Sequence, residues 1–287
     1  MLRPRNCHKG DFGHAWIVAG SSNMPGAGRL AAEAAMRSGA GKTTWVTTRE
    51  AYRVMGRAIP EVMALTFAAE DKTGSLPAAS IPLILKKILS SATAVGIGPG
   101  LGRTAAVKRL VRSLIKQCPV PLVLDADALW AVEGDVELIK KSASPVILTP
   151  HEGELARLFG ADLTRGGKRH RSLVAKSITN QYHCVLVWKG PRTLVVFPTK
   201  KIFINRTGNA GLAKGGSGDV LTGIITALAA QGFEAGDAAR IGVHAHGRAA
   251  DLAAQKTGLT AMAASDVIHA LPAVWRVLEK RADLKRL

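Results

Sequence analysis

Cysteine is scarce in this chain of 287 residues: only Cys7, Cys118 and Cys184 are present. An odd number excludes a fully paired disulfide framework, and no two of them share the short spacing of a metal site. We therefore expect a reducing, cytoplasmic setting. Long apolar runs are also missing. The longest, Val220 to Ala230, falls well short of the roughly 20 residues that cross a bilayer. Met1-Leu2-Arg3-Pro4-Arg5 leads into Asn6, Cys7, His8 and Lys9 instead of an apolar signal core, which argues against export. Aromatic side chains are few, with two Tyr and six Phe, and none is interleaved with basic residues as a base-stacking surface requires. Acidic residues are outnumbered, 21 against 39 basic, for a net charge of +18. That excess suits nucleic-acid binding, steering of small anions or plain solubility, and the missing aromatics disfavour the first. Low-complexity tracts, repeats and Pro-rich linkers are absent, so with 47% hydrophobic residues we expect one domain with an ample core.

What is present is an α/β alternation. Short β-rich runs fall at Ala15 to Ala19, Thr43 to Thr48, Thr93 to Ile97, Pro121 to Asp125, Pro145 to Thr149 and Cys184 to Trp188. Helical patterns lie between them at Gly28 to Ser38, Ile81 to Ser90, Thr104 to Gln117, Glu152 to Phe159 and Arg169 to Gln181. This rhythm predicts a mostly parallel sheet covered by helices. Thr193 to Phe197 and Lys201 to Asn205 read as a hairpin around Pro198-Thr199, an antiparallel edge. Ala235 to Gln255 and Ala264 to Arg281 read as helices. In Thr104 to Gln117, Val107, Leu110, Val111, Leu114 and Ile115 form one stripe with Lys108, Arg112 and Lys116 opposite. Lys168, Arg169, Arg171, Arg276, Lys280 and Arg281 are expected to be solvated in the same way.

In open parallel sheets ligands sit beyond the carboxyl ends of the strands. The segments expected there are Gly20 to Asn23, Gly98 to Gly102, Asp125 to Asp127, Thr149 to Glu152 and Lys189-Gly190, all rich in glycine or polar residues. The most informative segment is Gly208-Asn209-Ala210-Gly211-Leu212-Ala213-Lys214-Gly215-Gly216-Ser217-Gly218-Asp219, running into an apolar stretch. Small residues let backbone N–H groups approach an anion, and a helix starting near Gly218 adds the positive end of its dipole. Asp219 there either caps the helix or acts on something bound. Asp125 and Asp127 either orient a hydroxyl or a hydrated Mg²⁺, or cap a helix beginning near Ala128. His151 either contacts a ligand or caps the helix that follows. His244 and His246 point about 200° apart on a helix and form no metal pair. Gly39 to Thr43 lacks the first glycine of a phosphate loop and enters a strand, and Gly96, Gly98, Gly100 and Gly102 lack the dinucleotide spacing.

Together these segments resemble the ribokinase-like superfamily and, within it, the ADP-dependent NAD(P)H-hydrate dehydratases. The resemblance rests on His8 to Gly13, Met24 to Ala27 after the first strand, Ala35 to Gly41, Ile97 to Gly102, Asp125 to Leu129, Leu148 to Glu154, Lys189 to Thr193 and Gly208 to Asp219. It implies a three-layer α/β/α domain without a large lid. It implies an enzyme that dehydrates the S epimer of hydrated NADH or NADPH while converting ADP to AMP and phosphate, with Mg²⁺ as the expected counter-ion. By resemblance, Lys189, Gly190, Pro191, Arg192 and Thr193 bind ADP together with Asn209, Ala210, Gly211, Leu212, Ala213, Lys214, Gly215, Gly216, Ser217 and Gly218. Ala40, Gly100, Gly102, His151 and Asp219 contact the hydrated dinucleotide, and Asp219 is the catalytic base. A homo-oligomer is expected, and a separate epimerase, since the first matching segment lies so close to Met1.

Three departures from the family pattern stand out. Glu152 replaces a helix-starting proline, Lys42 replaces an apolar residue, and Trp188 replaces a smaller aliphatic one, which would tighten the adenine side of the pocket. Two other readings remain open at this point: a kinase of a vitamin-precursor alcohol that retains the phosphate, and a nucleic-acid-binding protein.

Overall fold

The structure, a computed structural model, describes residues 4, 6–160, 168–198 and 202–281. Nine strands form one sheet in the order β3-β2-β1-β4-β5-β6-β7-β8-β9. They are β1 (His14–Val18), β2 (Lys42–Thr48), β3 (Met63–Phe67), β4 (Ala94–Ile97), β5 (Leu122–Leu124), β6 (Val146–Leu148), β7 (Val185–Trp188), β8 (Leu194–Val196) and β9 (Phe203–Ile204). From β3 to β7 all pairings are parallel, and β8 and β9 add an antiparallel edge. Every residue of β1 and β4 is buried, as expected of strands covered on both faces.

Alternate strand residues feed two cores. Ile17, Trp45, Val123, Ile147 and Val187 face one layer, built from α1 (Pro25–Arg37), α2 (Arg49–Met55), α8 (Ser217–Ala230), α9 (Ala235–Ala261) and α10 (Ala264–Arg281). Trp16, Val46, Ile97, Leu124, Leu148 and Trp188 face the other, built from α3 (Ile81–Ser91), α4 (Ala105–Gln117), α5 (Asp127–Val132), α6 (Glu152–Phe159) and α7 (Lys168–Tyr182). The expected α/β/α sandwich with its antiparallel edge is therefore present. On α4 the buried side chains are the five that the periodicity predicts. The expected turn at Pro198-Thr199 runs into residues outside those described.

Some elements differ from the sequence reading. The edge strand β3 and the short helix α2 were not anticipated. Arg171, expected to be solvated, packs its guanidinium 4.5 Å from the ring centroid of Trp188. The side chains of Lys168, Arg169 and Arg281 lie outside those described. Trp188 is fully buried in the α3–α7 core, so it does not narrow the pocket as its size suggested. Among the described residues no helix is long and apolar enough to cross a membrane.

The sheet order reverses between β1 and β4, and their loops interlock there. Gly20 N–H donates to the Pro99 carbonyl (2.7 Å) and Gly98 N–H to the Val18 carbonyl (3.1 Å). This topological switch, at the carboxyl ends of the parallel strands, is where such sheets hold ligands.

Candidate functional site

The glycine-rich loop delivers the start of α8 to that end of the sheet. Asn209 Oδ1 accepts from Gly211 N–H (3.0 Å) and opens a single 3₁₀ turn over Ala210–Leu212. Gly216 is the N-cap of α8 with φ +92°, a conformation that favours glycine. No side chain caps this helix; Ser217 N–H donates to the Lys214 carbonyl (3.5 Å), and the N–H groups of Gly218 and Asp219 in the first turn are left for a ligand. Asp219 lies in that first turn, and among the described residues it accepts no hydrogen bond, which overturns its reading as a cap. Lys214 is turned outward, where its ammonium donates to the Thr260 carbonyl at the end of α9 (2.5 Å).

Beside α8 stands Asp125. Its Oδ1 accepts from the Lys189 ammonium (2.7 Å) and its buried Oδ2 from the Thr222 hydroxyl (2.8 Å). Asp127 accepts from Gly102 N–H (2.8 Å) and Arg103 Nε (3.2 Å). Neither aspartate caps α5. The N-cap is Ala126, at φ 48° and ψ −114°, and no side chain bonds the helix start. An alanine held at that φ costs on the order of 1–3 kcal/mol. The kink lets two aspartates separated by one residue serve different partners, Asp125 toward Lys189 and Asp127 toward the Gly98–Gly102 loop.

The electrostatics converge on Asp219. Burial first, and then the Asp125 carboxylate, push its pKa up from 3.8 to about 7; Lys189 opposes this and Asp127 adds to it. A carboxylate poised near neutrality is suited to accepting a proton. Burial alone would pull the Lys189 pKa down, but Asp125, Glu154 and Asp219 outweigh it and hold it above its ordinary value. The ammonium also lies 3.8 Å from Glu154. His246, buried on α9, has its pKa lowered to about 4 by burial first and Lys189 second, so it is neutral at working pH.

A cavity of about 1300 Å³ opens against Lys189 and His246; Gly218 is on its wall, while Asp219, next in sequence, and Asp125 are not among the residues that line it. Its volume exceeds the roughly 300–1,000 Å³ of a pocket for one small ligand. Most of the nucleotide-binding set lines it: Lys189 to Thr193, Asn209, Ala210, Leu212 to Gly215, Ser217 and Gly218. Gly211 packs behind this wall, where an added Cβ would lie 2.8 Å from Met262, and Gly216 turns toward Leu30. His151 also lines the cavity. Its Nδ1 accepts from Gly153 N–H (3.0 Å) and Glu154 N–H (3.2 Å), while Glu154 bonds back to His151 N–H (2.8 Å). His151 is thus a helix cap whose ring remains about half exposed.

The other residues assigned to the substrate are not in this wall. Gly100 (φ +62°) and Gly102 (φ +85°) sit in the loop after β4, near Met24, Ala27 and Ser75. Asp127 ties that loop to the acidic cluster. Ala40 precedes Lys42, which pairs with His14 at the amino end of β1, so Ala40 stands at the opposite end of the sheet. Thr222 and Asp251 went unrecognised in the sequence. Thr222 could have been found from its i,i+3 spacing to Asp219. Asp251, on α9, gave no local signal.

A family model described as NAD(P)H-hydrate dehydratase matches residues 15–273. The bifunctional NAD(P)H-hydrate repair enzyme Nnr of Moorella thermoacetica is 39% identical over 281 residues, covering 98% of this chain and 52% of the relative. The chain thus spans about half the length of the bifunctional relatives that it matches. The ADP-dependent (S)-NAD(P)H-hydrate dehydratase of Bacillus subtilis is 36% identical over 278 residues, covering 96% of this chain and 94% of the relative. A crystal structure of ADP/ATP-dependent NAD(P)H-hydrate dehydratase from Bacillus subtilis, co-crystallized with ATP/Mg²⁺, has a TM-score of 0.79 at 32% identity, covering 96% and 94% of the two chains. A ribokinase-like superfamily protein from Enterococcus faecalis has the same TM-score at 26% identity, covering 96% of this chain and 91% of that one. The fold is ribokinase-like, and the chain belongs to the NAD(P)H-hydrate dehydratase family.

Proposed function

We propose that this chain uses ADP to dehydrate the S epimer of hydrated NADH or NADPH, releasing AMP and phosphate. The observation that carries the reading is Asp219, a carboxylate with a pKa of about 7 in the first turn of a helix that no side chain caps. Hydroxide is a poor leaving group, whereas a phosphate ester leaves readily, so phosphorylation makes the dehydration accessible. Asp219 accepts the proton as the substrate hydroxyl oxygen bonds to the β-phosphorus of ADP and the bond to AMP breaks. The N–H groups of Gly215, Gly216 and Gly218 stabilise the transferring phosphoryl group, on the order of 3 kcal/mol for one well-placed donor. The carbon–oxygen bond then breaks, the neighbouring carbon loses a proton, and the ring double bond forms as phosphate departs.

Lys189 to Thr193 and the Asn209 to Gly218 loop hold the nucleotide in this reading, and His151, Gly100 and Gly102 lie toward the dinucleotide. Lys214 would first have to leave the Thr260 carbonyl to reach a phosphate. Ala40 has no place in the same cavity of one protomer.

Mg²⁺ fits only in one form. Among the described residues no group of three His, Cys, Asp or Glu is placed to hold a metal, and Asp125 and Asp127 already spend both oxygens on hydrogen bonds. That donor set fits Mg²⁺ that arrives on the nucleotide phosphates and keeps most of its water. Bound so, it neutralises charge on the phosphates. The basic surface steers two anionic substrates toward the cavity. An epimerase supplying the S form acts alongside, in keeping with the bifunctional name of the Moorella relative. Three free cysteines suit a cytoplasmic setting.

The test is a purified-protein assay with S-hydrated NADPH, ADP and Mg²⁺, following the loss of hydrate absorbance. AMP and phosphate should appear in equal amounts. Absence of turnover, or accumulation of a stable phosphorylated product, would overturn the reading.

A further inference from the structure

We infer that Asp251, on α9, is a positioning residue that holds the entry of the glycine-rich loop in its nucleotide-binding shape by gripping Gly208 and Asn209. Its two oxygens are divided between them. Oδ2 accepts from Gly208 N–H (3.1 Å) and Oδ1 accepts from the Asn209 amide (3.2 Å). Because the Asn209 Nδ2 group donates to Asp251, its Oδ1 must face the other way, where it accepts from Gly211 N–H and starts the turn that lines the cavity. The carboxylate therefore fixes which way the Asn209 amide points.

The surroundings support a built contact. Gly208 has φ +98°, and its Cβ position lies 3.3 Å from Gly247 Cα. Gly247, one turn before Asp251, meets the chain so closely that a Cβ there would fall 2.4 Å from Thr207 Oγ1. Thr207 Oγ1 donates to the His244 carbonyl (3.0 Å). Thr207, Gly208 and Asn209 are thus laid along one face of α9, with Asp251 the only carboxylate bonded to that stretch among the described residues. The role is indirect: Asp251 is not among the residues lining the cavity, while Gly208 and Asn209 both are.

This inference rests on the loop being the ADP site, and its test keeps the two apart. ADP binding is measured by calorimetry for the wild type, Asp251→Asn, Asn209→Asp and the double variant. If the wild type binds no ADP, the functional reading fails and this assignment falls with it. If it binds, Asp251→Asn sets two amide groups against each other and should weaken ADP by about tenfold, the usual scale for a hydrogen bond to a charged group. Asn209→Asp sets two carboxylates together and should weaken it further. The double variant reverses the donor and acceptor across the same contact, and should recover ADP binding to within about threefold of wild type. In turnover assays the Asp251→Asn change should raise KM for ADP and leave KM for the hydrate unchanged, a split that general loosening of the fold would not produce. Unchanged ADP binding in Asp251→Asn would overturn the assignment. So would a loss, or a failure to fold, that the double variant does not repair.

Discussion

Asp219→Asn should make the protein more stable above neutral pH while abolishing its turnover. Burial and the Asp125 carboxylate raise the Asp219 pKa from 3.8 to about 7, so the ionised form is disfavoured in the folded protein. The sign follows from proton counts. Between about pH 4 and 7 the folded state holds a proton that the unfolded state has released, so stability falls as pH rises through this window. Above pH 7 the full cost is present. The difference between 3.8 and about 7, at 1.36 kcal/mol per tenfold change, corresponds to about 4 kcal/mol. Relaxation of the site around the charge brings the measurable part to about 2–4 kcal/mol.

Asparagine has nearly the same shape and no charge to desolvate. At pH 8.5 the variant should therefore melt roughly 5 °C or more above the wild type, since 1 kcal/mol shifts a protein of this size by about 2–4 °C. At pH 4, where wild-type Asp219 is protonated, the two should melt together. Thermal unfolding by circular dichroism across this range is the assay. A difference in melting temperature that does not change with pH, or a variant less stable at pH 8.5, refutes the argument that Asp219 is held as a strained base. The kinetic counterpart is an acid limb: kcat/KM for the hydrate should rise with pH through about 7 and flatten above it.

Other perturbations separate the parts of the site. Gly218→Ala should fold normally, since its Cβ would stand 3.4 Å from Lys189 Nζ and 3.6 Å from Asp125 Oδ2, yet the methyl fills the phosphate cradle; calorimetry should show ADP weakened at least tenfold. Lys189→Met leaves the buried Asp125 unpaired and should cost about 3–5 kcal/mol in urea unfolding. It also removes the group that lowers the Asp219 pKa, so any residual activity should have its acid limb above pH 7. Ala126→Gly should raise the melting temperature, because the strain at φ 48° exceeds the roughly 0.5–1 kcal/mol of added chain freedom.

Much of the fold was legible because its signals are local. Parallel strands buried on both faces read as apolar runs, and α4 shows its buried stripe by periodicity alone. The edge strand β3 carries no comparable signal. Its five residues are exposed or half-buried, so what makes Met63–Phe67 a strand is the neighbouring β2, not its own pattern. The site divides in the same way. A loop of small residues ending in aspartate announces itself, and the helix cap at His151 follows from Glu154 three residues on. The left-handed turn at Ala126 gives no sign, since Asp-Ala-Asp contains no glycine to advertise a positive φ. Nor can spacing reveal Asp125 with Lys189, 64 residues apart, or with Thr222, 97 apart.

Those distant pairs, second to burial itself, set the raised pKa of Asp219. Asp219 and Thr222 are three residues apart on α8 and project from neighbouring positions on its surface. Thr222 binds Oδ2 of Asp125 while Lys189 binds Oδ1, so Asp125 cannot turn away from the helix. Its charge then raises the Asp219 pKa, and Lys189, attracted to three carboxylates, limits how far it rises. Loss of Thr222 would release one Asp125 oxygen and loosen this setting without touching Asp219. Thr222→Val, similar in shape but without the hydroxyl, should therefore shift the acid limb of kcat/KM while ADP binding stays as in the wild type. A pH profile identical to the wild type's would show that Asp125 keeps its position without the threonine, and that Lys189 alone is enough to hold it.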